Sequence, residues 1–173
     1  IVGAFVEAQL VGYGVISRPS STAARKLMPG NIRNADYSRD AFMDGAATHP
    51  NYRGNGIYSL INAARGDYAE RNGLRHLVGI VHSGNTNSLA IHLQQQMVVV
   101  SIHDDRDGPN FFVHRDLKYT STPCGAFSRR VAIQDIDQHR AAVNDDLVGW
   151  RLEVRDNEID LVYDRLSIFV SPY

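Results

Sequence analysis

The chain has a single cysteine, Cys124. An intramolecular disulfide is excluded and no cysteine cluster can hold a metal, which fits a reducing cytoplasm and gives Cys124 an incidental or structural place. Long hydrophobic runs are missing as well. No stretch approaches the roughly twenty apolar residues needed to span a bilayer, and the start has no basic segment followed by a signal-like apolar one. A soluble, cytoplasmic protein without a membrane partner is expected. Excess charge of one sign is also absent: eighteen basic residues face nineteen acidic ones, for a net charge of −1. Nothing in that balance argues for nucleic acid, so a small metabolite or a protein is the expected partner. The sequence begins with Ile1 rather than Met, which leaves open a processed product, an excised domain or part of a longer chain.

What is present suits one globular unit with a substantial core: 173 residues, 43% of them hydrophobic and 21% charged. Two β-branched and aromatic runs, 1–7 and 10–17, read as a hairpin, with Gly12 and Gly14 weakening it or marking a bulge. Residues 18–39 carry Pro19, Pro29 and Gly30 and read as a long loop with one helical turn near 22–27. A strand over 40–48 then runs into Arg53-Gly54-Asn55-Gly56. After it Ile57, Leu60, Ile61, Ala64 and Tyr68 recur at helical spacing, and Gly73 supplies a C-terminal stop. A buried strand over 74–81 makes this a β-α-β unit with a parallel pair. Asn85-Thr86-Asn87-Ser88 caps a second helix to about 96, with Leu89, Leu93 and Met97 at i, i+4 and i+8. Strands over 98–103 and 111–116 follow. The tail from Tyr119 reads as a loop, a helix over 132–144, and strands over 147–154 and 159–170. Its Leu147-Val148-Gly149-Trp150 echoes Leu10-Val11-Gly12-Tyr13, so the tail completes the sheet or starts a second, related domain.

A glycine loop at a helix N-terminus holds phosphates, because the first helical turn leaves backbone N–H groups unpaired and a partial positive charge beside them. Gly54 and Gly56 would let an anion reach the backbone without interference from a Cβ. Two other phosphate loops fail on the residues. A Walker loop needs Gly-Lys-Ser/Thr where this chain has Gly56-Ile57-Tyr58, and a dinucleotide fingerprint needs a third glycine where Ser59 stands. His76, His82, His103 and His114 show no convincing ligand spacing for a metal, and no serine lies in a G-x-S-x-G elbow. Tyr13, Tyr37 and Phe42 are candidates for lining a substrate pocket or for packing the core.

The segment His49-Pro50-Asn51-Tyr52-Arg53-Gly54-Asn55-Gly56-Ile57 resembles the coenzyme A pyrophosphate loop of the GNAT acyltransferase superfamily, Q/R-x-x-G-x-G/A. Arg53 and Gly56 fit it, whereas Tyr58 stands where the family usually has Gly or Ala. Asn85, Ser88 and His92 resemble the family's second coenzyme A motif, and an alternative frame from Asn87 through Ala90 to Gln94 is equally readable. Gln96-Met97 replaces the Gly-Phe with which members end that motif. The order of elements extends the resemblance over residues 1–118, while the family's first strand and first two helices have no counterpart before Ile1. Residues 119–173 form a C-terminal extension.

The resemblance implies an α/β fold with a central mixed, mostly antiparallel sheet, a parallel β-α-β core and flanking helices. It implies an N-acyltransferase that moves an acetyl or other short acyl group from acetyl-CoA, with no metal, to a primary amine on a small molecule or peptide by direct attack. The donor's pantetheine would lie where two strands splay, beside the backbone of Ala46, Ala47 and Thr48, with Arg53, Gly54, Asn55, Gly56, Ile57 and Tyr58 at the pyrophosphate and Asn85 and Ser88 nearby. Acyl transfer to an amine has two proton tasks, so His92 is the candidate acid and Asp44 the candidate base, with His49 behind it. Strand alternation would put Asp44 on the face of Ala46 and Thr48. The alternative is a non-catalytic coenzyme A-binding sensor or interaction module. A homodimer is left open.

Overall fold

The computed structural model describes residues 1–18, 39–125 and 128–170. The expected loop at 18–39, with its helical turn and Tyr37, lies outside the described residues apart from its two ends. Strands β1 (Val2–Val6) and β2 (Gln9–Ser17) make the expected hairpin, and β3 (Asp40–Thr48) leads through a single 3-10 turn (Pro50–Tyr52) into helix α1 (Ile57–Arg71). Then come β4 (His76–His82), α2 (Thr86–Gln94), β5 (Val98–Asp105) and β6 (Gly108–Asp116). The tail holds β7 (Tyr119–Pro123), β8 (Arg129–Ala132), α3 (Ile136–Asn144), β9 (Val148–Arg155), β10 (Glu158–Asp164) and β11 (Leu166–Val170).

Among the described residues one sheet runs β1-β2-β3-β4-β6-β5-β9-β10-β8, and β7 pairs with β11 apart from it. Its pairs are antiparallel except β3 with β4, the parallel pair that a right-handed crossover through α1 requires. The core lies on the helical face, where Met43, Leu77, Val81, Val99, Phe111 and Val113 pack with Ala69 of α1, Leu89 and Leu93 of α2 and Ala142 of α3. A smaller cluster of Val78 and Phe112 with Phe42 and Val100 sits on the other face. Among the described residues no helix is long and apolar enough to cross a membrane.

Helix α1 turns a different side inward from the one its apolar spacing marks. Leu60 is 68% exposed and Tyr68 46%, whereas Ile61, Asn62, Arg65, Gly66 and Ala69 are buried. The room comes from β2. A Cβ on Gly14 would stand 2.5 Å from Ile61 Cγ2 and 3.1 Å from Arg65 Cδ, and one on Gly12 would stand 2.9 Å from Ile57 and Ile61. The two glycines, expected to weaken the hairpin or mark a bulge, stand beside register shifts on β2; they also seat a helix and admit an arginine into the core.

Several tail boundaries also differ. The expected helix start at 132 is the end of β8; α3 begins at Ile136, where the Asp135 side chain accepts the Gln138 N–H. The single run over 159–170 breaks at Arg165, because Asp164 accepts the Gly125 and Arg165 N–H groups and the chain leaves the main sheet to pair with β7. Residues 119–123 and 129–132 are strands rather than loop, since their partners β11 and β10 are distant in sequence.

The unit that contains 147–150 has a structural counterpart fifty residues upstream. Thr86–Gln94 is matched by Ile136–Asn144, and Val98–Asp105 by Val148–Arg155. Both units begin with a side-chain cap, Asn85 or Asp135, and both leave the helix through a residue with positive φ, Gln96 or Asp146. Their hairpins share a register and a bulge at the same place: Ser101 pairs with Phe112 and Val99 with Val113, as Arg151 pairs with Val162 and Gly149 with Tyr163. The units meet where β5 pairs antiparallel with β9 through Val99 and Gly149, which are each other's counterparts. A pseudo-twofold axis therefore passes between them, and α2 packs on β9 as α3 packs on β5.

Gly149 is the tight point of that contact, its missing Cβ 2.8 Å from Leu161 Cδ2 and 3.1 Å from Val99 Cβ. Gly149→Val is expected to cost about 1–3 kcal/mol through overpacking, read as a lower urea midpoint with an unchanged slope.

Candidate functional site

Strands β3 and β4 pair only from Asp40 with His76 to Met43 with Gly79. Beyond that they separate, and 44–48 continues beside β2 alone. The result is a fork in the sheet in which, among the described residues, the β3 edge from Asp44 to Thr48 has no strand alongside it on the β4 side. A bulge assists: the register between β2 and β3 shifts between Gly14 and Ile16, so two β3 residues answer one on β2. The shift also breaks the alternation from which Asp44, Ala46 and Thr48 were placed on one face. Gly45 and Ala47 are exposed, Ala46 and Thr48 half-buried.

Past the open end of the fork the chain makes the glycine loop. His49 accepts the Asn51 N–H through Nδ1 at 3.3 Å and starts the 3-10 turn, Arg53 Nε donates to Thr48 O at 3.4 Å, and Asn55 Nδ2 donates to the carbonyls of Tyr52 and Arg53. Gly54 and Gly56 have φ of 80° and 73°. A Cβ at either would meet no protein atom within 4 Å, so within the protein itself glycine serves these positions through its freedom to adopt positive φ. Gly56 is the N-cap of α1, and no side chain among the described residues caps that helix; α2 and α3 are both capped by one. The N-terminus of α1 thus keeps its N–H groups for an incoming acceptor.

No family model matches the chain, and no curated protein matches it. Solved structures match it in three dimensions. A Salmonella typhimurium protein assigned as an acetyltransferase and solved with acetyl-CoA superposes with a TM-score of 0.54 at 16% identity over 66% of this chain and 62% of that one. An acetyltransferase of the GNAT family from Streptococcus pneumoniae gives 0.52 at 14% identity over 66% and 64%. The ribosomal-protein-alanine N-acetyltransferase of Brucella melitensis gives 0.50 at 20% identity over 66% and 67%. The fold is that of the GNAT acetyltransferases. The match spans less than two thirds of the first two of those chains.

Within this GNAT fold several of the sequence candidates converge beneath the fork. Tyr58, on the first turn of α1, brings its hydroxyl 3.1 Å from Ser88 Oγ on α2, and its ring meets His92 edge-on. Asn85 spends its Oδ1 on the cap of α2. His92 is buried, with Nδ1 2.8 Å from Ser88 O; a carbonyl only accepts, so Nδ1 carries the hydrogen and Nε2 the lone pair, toward Gly79 of β4. Burial lowers the His92 pKa below the ordinary imidazole value, the Ser88 bond opposes this, and Arg65 lowers it further. Asp44 stands apart, its exposed carboxylate near the Ser17 hydroxyl and its own Gly45 N–H.

Arg65 is the residue that sequence reading passed over. It is 1% exposed, and Nη1 donates to Val15 O and Asp44 O at 3.0 Å each, bracing the bulge at the point where the fork opens. Nη2 donates to Asn62 Oδ1. Burial lowers its pKa, while Tyr58 and Asp44 raise it. No carboxylate among the described residues forms an ion pair with it; its charge is met by the oxygens of Val15, Asp44 and Asn62 and by the Tyr58 hydroxyl. The signal was a helix face holding Ile61, Arg65 and Ala69 at i, i+4 and i+8 opposite two strand glycines.

Away from the fork, adjacency of β4 and β6 unites two histidines that spacing kept apart. His76 Nδ1 and His114 Nε2 are 3.1 Å apart, and Asp116 lies 3.8 Å from His76 with Arg75 on its other side. Burial pushes His114 down to about 4, His76 adding to the depression and Asp116 opposing it. Burial also lowers His76. A histidine that resists protonation when folded binds protons more readily when unfolded, so its contribution to stability is complete above the unfolded pKa near 6.5 and is lost as pH falls toward 4. Unfolding midpoints measured from pH 7 to pH 4 are expected to decline less steeply in His114→Gln than in the parent.

Proposed function

We propose that the chain binds acetyl-CoA or a related acyl-CoA and transfers the acyl group to a primary amine on a small molecule or peptide. The observation that carries this reading is the union of an open strand edge at 44–48 with the uncapped N-terminus of α1. The first suits the amides of a pantetheine arm, which would pair with β3 as an added strand. The second suits a pyrophosphate, held by N–H groups that Gly54 and Gly56 shape and that no side chain occupies. Arg53, Asn55, Ile57 and Tyr58 are proposed to line that end, with Ser88, whose Oγ lies 3.1 Å from the Tyr58 hydroxyl, and Asn85 beside it.

In this reading the amine attacks the thioester carbonyl, the C–S bond breaks, the amine gives up a proton and the thiolate takes one. Asp44 is proposed to receive the amine's proton directly or through water. His92 is proposed for the thiolate, on the condition that it is protonated against the burial that favours its neutral form. A second reading, a coenzyme A-binding module without catalysis, draws on that same neutral imidazole and on the bond from Tyr58 to Ser88, which ties the two helices together.

Incubation with acetyl-CoA and a panel of amines, with thiol release followed, separates the two. Release that depends on the amine supports transfer; binding without release supports the module. Gly56→Glu is expected to abolish protection by acyl-CoA in thermal unfolding while the fold survives, a loss of about 2.7 kcal/mol at a ligand concentration of one hundred times Kd. Protection equal to the parent's would overturn the loop assignment.

A further inference from the structure

We propose that the cavity between α1 and α2 is a second ligand site, independent of the acyl-CoA reading, and that it takes a free α-amino acid whose side chain ends in a carbonyl oxygen. The cavity has a volume of about 230 Å³ and lies between the middle of α1 and the C-terminal end of α2, away from the glycine loop and the Asn85 cap at the other ends of those helices. Sites for drug-sized ligands run from roughly 300 to 1,000 Å³, so this one suits a small metabolite. Its floor is apolar, made by the buried side chains of Met43, Leu77 and Met97. Its rim is charged, with Asp67 of α1 and Arg115 of β6. Asp67 is exposed and the Arg115 side chain is 27% exposed, so the cavity reaches solvent on that side.

Asn62 supplies the observation that calls for a ligand. It lines the cavity while being 0% exposed, and its Nδ2 has no acceptor among the described residues. Its Oδ1 is taken by Arg65 Nη2. Arg65 does not line the cavity, so Nδ2 is the polar atom left on the cavity side. A buried donor without an acceptor costs stability, and an oxygen that reaches it removes the cost. The rim decides what carries that oxygen. Arg115 gives Nη1 to Gln95 O at 3.4 Å and Nη2 to Glu70 Oε1 at 3.2 Å, which engages Glu70 and keeps further N–H groups for an incoming carboxylate. Asp67 is then the carboxylate open to an ammonium. A simple anion would meet two carboxylates against one guanidinium at this rim, and a simple cation would gain nothing from Arg115. A zwitterion answers both. An α-amino acid sets its carboxylate on Arg115 and its ammonium on Asp67, runs its methylenes over Met43, Leu77 and Met97, and brings a terminal carbonyl to Asn62.

Titration calorimetry with L-glutamine and L-norleucine, whose side chains are similar in length and differ in the oxygen, tests this on the whole chain. The parent is expected to bind glutamine saturably and at least about tenfold more tightly than norleucine. Asp67→Ala, a change at an exposed position, is expected to keep the fold and to weaken both amino acids by about tenfold, and Asn62→Leu to abolish the preference for glutamine. No saturable binding of glutamine by the parent, the result of a cavity that holds only water, would overturn the site. Equal affinities for the two amino acids in the parent, or glutamine binding unchanged in Asp67→Ala, would overturn it as well. Should Asn62→Leu not fold by circular dichroism, the comparison in the parent and the Asp67→Ala result decide.

Discussion

The candidate site depends on one interruption of hydrogen bonding, the parting of β3 and β4 after Met43 and Gly79. Backbone groups on a strand edge need partners, and here the bulge against β2 turns the edge aside while Arg65 takes up the Val15 and Asp44 carbonyls. The same break sends β3 into the 3-10 turn and the glycine loop, so that the uncapped end of α1 arrives at the mouth of the opening. A strand edge and a helix end, each short of partners among the described residues, are thus joined by one short loop. That coincidence is the basis of the functional reading, and it comes from backbone geometry more than from any ionisable side chain.

Arg65 connects the fork to the packing of α1. It enters the core only because Gly12 and Gly14 leave β2 bare beneath the helix. Once there it binds three oxygens, those of Val15, Asp44 and Asn62, and pairs with no carboxylate among the described residues. Tyr58 belongs to the same arrangement, since a large residue at the first turn reaches Ser88 on α2 and lies against the neutral His92. The two departures from an apolar helix face are neighbours in space, seven residues apart on one helix.

Local pattern was legible wherever a residue's role was local. The hairpin, the strand over 40–48, the glycine loop with its helix, and the cap at Asn85 could be read because turn chemistry, capping and periodicity are short-range. What escaped was long-range. The inward face of α1 is chosen by two glycines some fifty residues earlier, so Leu60 and Tyr68 looked like core and Arg65 like surface. The meeting of His76 with His114 depends on β6 lying between β4 and β5, an order that pairing sets. The repeat escaped because its units share a register and burial pattern with few identities: Leu89 and His139 occupy one buried position, and His92 and Ala142 another. The second unit replaces Asn85, Ser88 and His92 with Asp135, Gln138 and Ala142, and it extends the sheet across the β5 edge.

The central claim is that the fork and the uncapped helix end receive one ligand together. Amide chemical shifts of the isotopically labelled protein, followed during titration with coenzyme A, test it most directly. The account requires the largest changes in two separate stretches, 44–48 on the open edge of β3 and 54–59 around the first turn of α1, saturating at the same ligand concentration. Saturable binding with shifts confined elsewhere, or in one stretch without the other, would contradict it.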